Sequence, residues 1–218
     1  MSCPAAQGRR AHRRATTPME TTLNLALFTR LNAAPDSDPR LLLLAEVFAV
    51  YLIWMVPALL VIGWLRGSDR LKRPLLEAFV ATLLALAASW LLGFLWPSPR
   101  PFMVPVGQTF LEHAPTPGFP SNHATIMLTM AFSLLLHAGT RRIGRYLLLL
   151  ALPVAWARIF LGVHFPQDML GALLLAAVTA TLVGASRTWL ILPFYHHVAM
   201  RLYRLLFAPL IRRGWVAR

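Results

Sequence analysis

Two stretches of the chain, Leu41 to Leu65 and Leu75 to Trp96, are apolar almost without interruption and longer than the buried stripe of a soluble helix requires. A helix needs roughly 20 mostly apolar residues to cross a bilayer, and both stretches meet that length. His123 to Ala138, Tyr146 to Leu161 and Pro166 to Ala185 are shorter or have polar ends, yet each lies between hydrophilic turns. The pattern predicts five spans. Leu23, Leu27, Phe28 and Leu31 recur at helical spacing in a segment whose other faces carry Asn24, Thr29 and Arg30. That segment is too short to span and predicts a helix lying in the membrane interface. From Trp189 to Arg218, aromatic and aliphatic residues mix with Arg201, Arg204, Arg212, Arg213 and Arg218, which predicts a second, basic interfacial helix on an anionic leaflet. The expected fold class is therefore all-α, an integral membrane helical bundle with amphipathic helices at both ends.

Charge placement orients these spans. Arg66, Arg70, Lys72 and Arg73 fall on one side with Arg141, Arg142, Arg145 and Arg187, whereas the other side receives residues 19 to 40, 97 to 122 and 162 to 165, where Glu20, Asp36, Asp38 and Glu112 offset the few arginines. The arginine-rich side is the cytoplasmic one by the positive-inside rule, so the other faces outward. Glu46 and Glu77 lie near opposite span ends and are expected at the interface; His137, His196 and His197 fall on the cytoplasmic side.

Composition agrees with a membrane protein, at 57% hydrophobic and 13% charged residues. A net charge of +13 and a pI near 11.6 raise the possibility of nucleic acid as a partner, but the basic residues stand beside apolar runs and form no soluble face, so no nucleic acid is expected. Cys3 is alone and forms no intramolecular disulfide. Residues 1–18 carry Arg9, Arg10, Arg13 and Arg14 without an apolar core, so they are expected to be a disordered basic tail and not a secretory signal; residues 19–218 form a single membrane domain. The tail's arginines oppose the predicted orientation, a conflict removed by a start at Met19 or by a sixth, re-entrant element. The sequence sets no oligomeric state.

Candidate chemistry lies at the ends of the outward-pointing spans. Arg158, His164 and Asp168 interrupt apolar sequence, where ionisable groups are costly and tend to be functional. His164 and Asp168, four apart across a helix start, can share one side. The aspartate either caps the helix or binds one imidazole nitrogen, leaving the other as a nucleophile. Ser121 and Asn122 precede His123 at another helix start, which reads either as a plain cap or as an anion site with His123 as proton donor. Arg100 and Arg158 are either snorkelling interfacial arginines or bidentate ligands of phosphate oxygens. Convergence of two arginines, two histidines and a carboxylate on one face favours the functional reading throughout, a phosphate site with no metal and no cofactor, since no His or carboxylate cluster has metal-ligand spacing. Glu112 and His113 lie in the same outer loop and match no assigned role beyond touching a substrate.

The order Arg100-Pro101, Pro120-Ser121-Asn122-His123 and Arg158-x5-His164-x3-Asp168 resembles the phosphatidic acid phosphatase type 2 superfamily. From Met19 onward the chain is similar to its bacterial undecaprenyl-diphosphate phosphatases of the bacitracin-resistance type, through Leu23-Asn24-Leu25, Pro35-Asp36-Ser37, Arg100-Pro101-Phe102, Phe119-Pro120-Ser121, Gly162-Val163-His164 and Ile211-Arg212-Arg213-Gly214-Trp215. The resemblance implies that His164 attacks phosphorus, Asp168 orients it and His123 protonates the leaving group. Arg100, Arg158, Ser121 and Asn122 are then the phosphate-binding residues. It implies a polyprenyl diphosphate lipid as substrate within a membrane of lipids, a phosphohistidine intermediate, and an active site facing outward from the cytoplasmic membrane. The chain departs from the superfamily pattern at Gly93, where lysine opens the first motif, at Asn122, where glycine is commonest, and at Ala157, where serine is usual. The subgroup resembles this chain in lacking that lysine. Phosphatidylglycerophosphate or phosphatidate hydrolysis, phosphate transfer to lipid A, and a non-catalytic lipid-binding role stay open at this point.

Overall fold

The computed structural model describes residues 18–217. The basic tail expected over residues 1–18 lies outside them up to residue 17, and Pro18 already opens the first helix, α1 (Pro18–Leu31). An apolar helical stretch, Pro39–Arg66, follows as α2 (Pro39–Glu46), a π-helical turn (Val47–Tyr51), a 3-10 turn (Leu52–Trp54) and α3 (Met55–Arg66). Then come α4 (Asp69–Leu95), α5 (Asn122–Leu135), α6 (Arg141–Phe160) and α7 (Pro166–Ala185). Short helices close the chain: α8 (Leu192–Phe194), α9 (Met200–Leu206) and α10 (Ala208–Arg212), with π turns at Arg187–Ile191 and Tyr195–Ala199.

Among the described residues, four helical stretches are long and apolar enough to cross a membrane. The third expected span is shorter: α5 has 14 residues, about 21 Å, against a hydrocarbon core of about 30 Å. It is the central helix, packed against α4, α6 and α7. Lipid tails are as apolar as leucine, so helices in a bilayer hold together by close packing of small side chains. Three such stripes, each at four-residue spacing, do this here. On α4 it runs Glu77, Ala81, Ala85, Ser89, Gly93; on α7, Asp168, Ala172, Ala176, Ala180; on α5, Thr125, Thr129, Ser133, continuing back to Ser121. All are buried, and the large side chains Phe79, Leu83, Trp90 and Leu174 point outward.

At the end opposite the candidate site, Glu77 is 1% exposed, which overturns its expected interfacial position. Its carboxylate accepts from Arg187 Nε at 2.7 Å and Nη2 at 3.0 Å, and stands 3.1 Å from His137 Nε2. A charge drawn into the small-residue stripe of α4 needs such partners, and they join α4, the end of α5 and the chain leaving α7. The C-terminal segment is amphipathic, as expected, but it docks on protein: Ile191, Tyr195, Met200 and Tyr203 are buried with Leu76, Ala81 and Val183, while Arg201, Arg204, Arg212 and Arg213 stay exposed. Tyr195 donates to Asp69 Oδ1 at 2.7 Å.

The apolar stripe expected on α1 divides. Phe28 is fully buried, edge-on to Phe165 with ring centres 5.1 Å apart, whereas Leu23, Leu27 and Leu31 face outward. Polar contacts accompany this rotation: Asn24 Oδ1 accepts from the Gln167 amide at 3.0 Å, so the bundle takes the asparagine and the leucines are left on the outside.

Candidate active site

His164 lies in the turn between α6 and α7. Gly162, with φ of 77°, makes that turn. Only glycine reaches this conformation without a Cβ penalty, and a Cβ there would stand 2.0 Å from the Gln108 carbonyl oxygen. The turn closes on the Arg158 carbonyl, which accepts from the amides of Val163 at 3.1 Å and His164 at 3.2 Å. Pro166 then opens α7, where a missing N–H costs nothing. Asp168 Oδ2 accepts from the Phe165 amide at 2.9 Å and meets His164 Nδ1 at 3.0 Å. The two readings that the sequence left open for Asp168, cap and histidine partner, are both realised by one oxygen. Its Oδ1 is buried and has no partner among the described residues.

Arg100 reaches the same turn from the loop after α4. Its five N–H donors are all engaged. Nε donates to Thr116 O at 2.9 Å, Nη2 to Pro117 O at 3.2 Å and Thr116 Oγ1 at 3.4 Å, and Nη1 to Val163 O at 3.0 Å and His164 Nε2 at 3.0 Å. A guanidinium only donates, so Nε2 of His164 accepts and the ring proton sits on Nδ1, facing Asp168. Those two contacts select the tautomer. Burial, followed by the charges of Arg158 and Arg100, holds the His164 pKa well below the ordinary imidazole value. The ring is therefore neutral at pH 7, with its Nε2 lone pair masked by a single Arg100 donor.

Arg158, 3% exposed, differs from Arg100. It makes one long hydrogen bond, 3.5 Å from Nη1 to Ala49 O, and its Nε has no partner among the described residues. Ala49 lies in the π turn of the first span, where altered backbone bonding offers a carbonyl at a functional site. A buried guanidinium with an idle donor is suited to receive an anion.

His123, one residue inside α5, interacts electrostatically with Arg158, His113 and Arg100. Ser121 occupies the N-cap position, but the cap expected there is not made: no side chain caps α5, and the Ser121 hydroxyl is fully buried without a partner among the described residues. The Ser121 amide donates to the Asp168 carbonyl at 3.2 Å, which draws the residue between two helix starts and encloses its hydroxyl there. This 14-residue helix is thus left without a side-chain cap on its first-turn amides, beside the catalytic candidates. Asn122 is exposed, and its Oδ1 accepts from Ser89 Oγ of α4 at 2.7 Å. Gly93 continues the small stripe of α4; a Cβ there would lie 3.4 Å from Pro117 Cβ. Ala157 is fully buried with Ala45 and Ala49.

Sequence reasoning missed the residues that hold the loop between α4 and α5 over this turn. Asn32 Nδ2 donates to Gln108 O at 2.9 Å and Phe160 O at 3.0 Å, while Asn32 Oδ1 accepts from the Gln108 amide at 2.7 Å. The Phe110 amide adds a bond to Leu161 O at 3.1 Å. Gly107 turns the loop with φ of 68°, and a Cβ on it would lie 2.4 Å from Asn32 Oδ1. The one signal in the sequence was Gly107 itself, a turn residue in an otherwise irregular stretch. The loop carries His113 to within 6.4 Å of His164, ring centre to ring centre. Among the described residues, no group of three or more His, Cys, Asp or Glu is placed to hold a metal ion.

The chain matches the PAP2 superfamily over residues 74–191, the segment from early α4 through Ile191 that contains Arg100, His123, Arg158, His164 and Asp168. It is similar to "Putative undecaprenyl-diphosphatase YbjG" of Escherichia coli (strain K12), with 39% identity over 91% of this chain and 99% of that one. It is also similar to "Undecaprenyl-diphosphatase BcrC" of Bacillus subtilis (strain 168), with 27% identity over 72% of this chain and 80% of the relative. Among solved structures, that of Aquifex aeolicus LpxE superposes with a TM-score of 0.58 and 27% identity, covering 74% of this chain and 94% of the other. With three motifs on one end of a membrane helical bundle and a matched segment spanning more than half of the sequence, the protein belongs to the PAP2 superfamily.

Proposed function

We propose that the protein removes the terminal phosphate of undecaprenyl diphosphate at the outer face of the bacterial cytoplasmic membrane, returning the monophosphate carrier to cell-wall synthesis and contributing to bacitracin resistance. The observation that carries this reading is the buried, neutral His164, with Nδ1–H on Asp168 and its Nε2 lone pair under Arg100. The YbjG and BcrC relatives, named as undecaprenyl-diphosphatases, support the substrate. The arginines at the end opposite His164, among them Arg66, Arg70, Arg141, Arg142 and Arg145, support an outward site by the positive-inside rule.

The terminal phosphate enters between Arg158 and the first-turn amides of α5 and takes over the Arg100 donor that masks Nε2. His164 Nε2 then attacks phosphorus, and the bond from that phosphorus to the bridging oxygen breaks. His123, which takes up a proton from solvent as the charge of the diphosphate arrives, gives it to the departing lipid phosphate, and Asp168 stabilises the positive charge on the His164 ring. In the second step water attacks the phosphohistidine and gives a proton to His123, the N–P bond breaks, and inorganic phosphate leaves. Catalysis consists of positioning and charge stabilisation, since the arginines meet a transition state whose negative charge spreads over the phosphoryl oxygens.

The test is turnover of purified protein on undecaprenyl diphosphate, phosphatidylglycerophosphate, phosphatidate and lipid A. The diphosphate is expected to be hydrolysed with the highest kcat/KM, and a preference for a glycerophospholipid overturns the substrate assignment. In the same assay a chelator is expected to leave the rate unchanged. A loss that a divalent ion restores would count against the metal-free mechanism.

A further inference from the structure

We infer that His113 reads the second phosphate of the substrate, binding the lipid-side phosphate of a diphosphate while His164 attacks the terminal one; this rests on the phosphatase reading above. Its loop is built to hold a side chain in place. Asn32, the Phe110 amide and the Gly107 turn fasten it to the end of α6 and to Leu161, next to the nucleophile's own turn. The His113 ring stands edge-on to the His164 ring at 6.4 Å and at the same distance from Phe102. It lines a cavity of about 520 Å³ with Phe102, Thr109, Leu111, Glu112 and Ala114. That cavity sets the His113 ring beside the apolar side chains of Phe102, Leu111 and Ala114, the neighbouring environments that a phosphate group followed by an isoprenoid chain requires.

The bonding of His113 gives it one free hand. Its Nδ1 lies 2.9 Å from the Ala114 carbonyl oxygen, which can only accept, so Nδ1 carries a proton and Nε2 is left to bond elsewhere. Burial, with Arg100 and Arg158 nearby and despite the Ala114 bond, keeps the His113 pKa below its ordinary value, so the free protein holds the ring neutral. A single phosphate is already served by Arg158, Arg100 and the α5 amides. A second phosphate adds negative charge beside both arginines, and His113 then takes a proton from solvent and donates Nε2–H to that phosphate. Glu112 lines the same cavity but is exposed, where solvent and salt screen its charge.

His113 is partly exposed on a loop, so His113→Ala and His113→Gln leave the bundle intact. With His113→Ala, KM for undecaprenyl diphosphate is expected to rise about tenfold or more with kcat within about twofold, the signature of a lost charge-assisted hydrogen bond made equally in ground and transition states. Methylenediphosphonate, a stable diphosphate, is expected to inhibit the variant correspondingly less well, while the inhibition constant of inorganic phosphate stays the same. His113→Gln, which keeps an N–H donor, restores part of the difference. An unchanged KM, or equal weakening of phosphate and diphosphonate, overturns the proposal, because a merely structural loop role moves both inhibitors together. Failure of the wild-type protein to hydrolyse undecaprenyl diphosphate is a separate outcome that sinks the substrate assignment; the inhibitor ratio, read with whichever lipid is turned over, still decides the role of His113.

Discussion

His164→Ala is expected to reduce phosphate release by roughly four orders of magnitude or more, the scale seen when a nucleophile is removed from a catalytic unit. In the proposed mechanism the ring supplies the attacking lone pair, and no other described side chain is paired to Asp168 in the way that selects an attacking nitrogen. Brief exposure of the wild-type protein to labelled substrate is expected to leave phosphate on His164, and the alanine variant is expected to trap none. The variant also loses the acceptor that Arg100 now faces, so its folding is to be checked by thermal melting in detergent beside the wild type. A folded variant with undiminished turnover, or label found on His123 and absent from His164, would remove the nucleophile assignment. Asp168→Asn sharpens the same test, because an amide presents either an N–H or a carbonyl to Nδ1 and no longer selects the tautomer with a free Nε2.

The largest expected effect on stability lies at the other end of the bundle. Arg187→Ala leaves the Glu77 carboxylate buried at 1% exposure with only His137 beside it. Removing one partner of a fully buried ion pair costs about 3–5 kcal/mol, chiefly because the remaining charge is stranded, and the 34% exposure of the Arg187 side chain places this pair at or below the lower end of that range. Thermal inactivation in detergent is expected to occur at a markedly lower temperature, with catalysis at low temperature little changed because the site is at the opposite helix ends. Arg187→Lys recovers only part of the loss, since an ammonium cannot reproduce the paired bonds from Nε and Nη2. Replacing Glu77 by Gln in the Arg187→Ala background is expected to restore stability, because the stranded charge is then gone. An Arg187→Ala protein that melts with the wild type would show that the pair contributes nothing.

Legibility in the sequence followed the physics of each feature. The long apolar runs of the first, second, fourth and fifth spans are visible because bilayer thickness sets a length that no turn chemistry can disguise. The three polar motifs are visible for the converse reason, that ionisable residues in apolar sequence are costly. The rotation of each helix was harder to read. Leu23, Leu27, Phe28 and Leu31 form a sound helical stripe, yet only Phe28 turns inward, because Asn24 and Asn32 have backbone groups of the bundle to bond and their bonds fix the rotation that leaves the leucines exposed. Glu77 looked interfacial for want of a visible partner, and its partners lie 60 and 110 positions away, at His137 and Arg187. The cap expected of Ser121 was a local inference, and the tertiary bond of its amide to Asp168 overrode it.

By itself the sequence determined that the chain is a membrane bundle, that its polar motifs lie at one set of helix ends, and which five ionisable residues stand together there. These follow from hydropathy, span length and order along the chain, all of which are one-dimensional. Tertiary structure alone decided how those residues differ: Arg100 with every donor committed and one of them resting on Nε2 of His164, Arg158 with its Nε idle, Asp168 serving the helix start and the histidine with one oxygen. It also decided that Asn32 and Gly107 bring His113 to the rim of the site. Hydrogen-bond donors are counted in three dimensions, and which of them remain free depends on how neighbouring helices and loops have already used the rest.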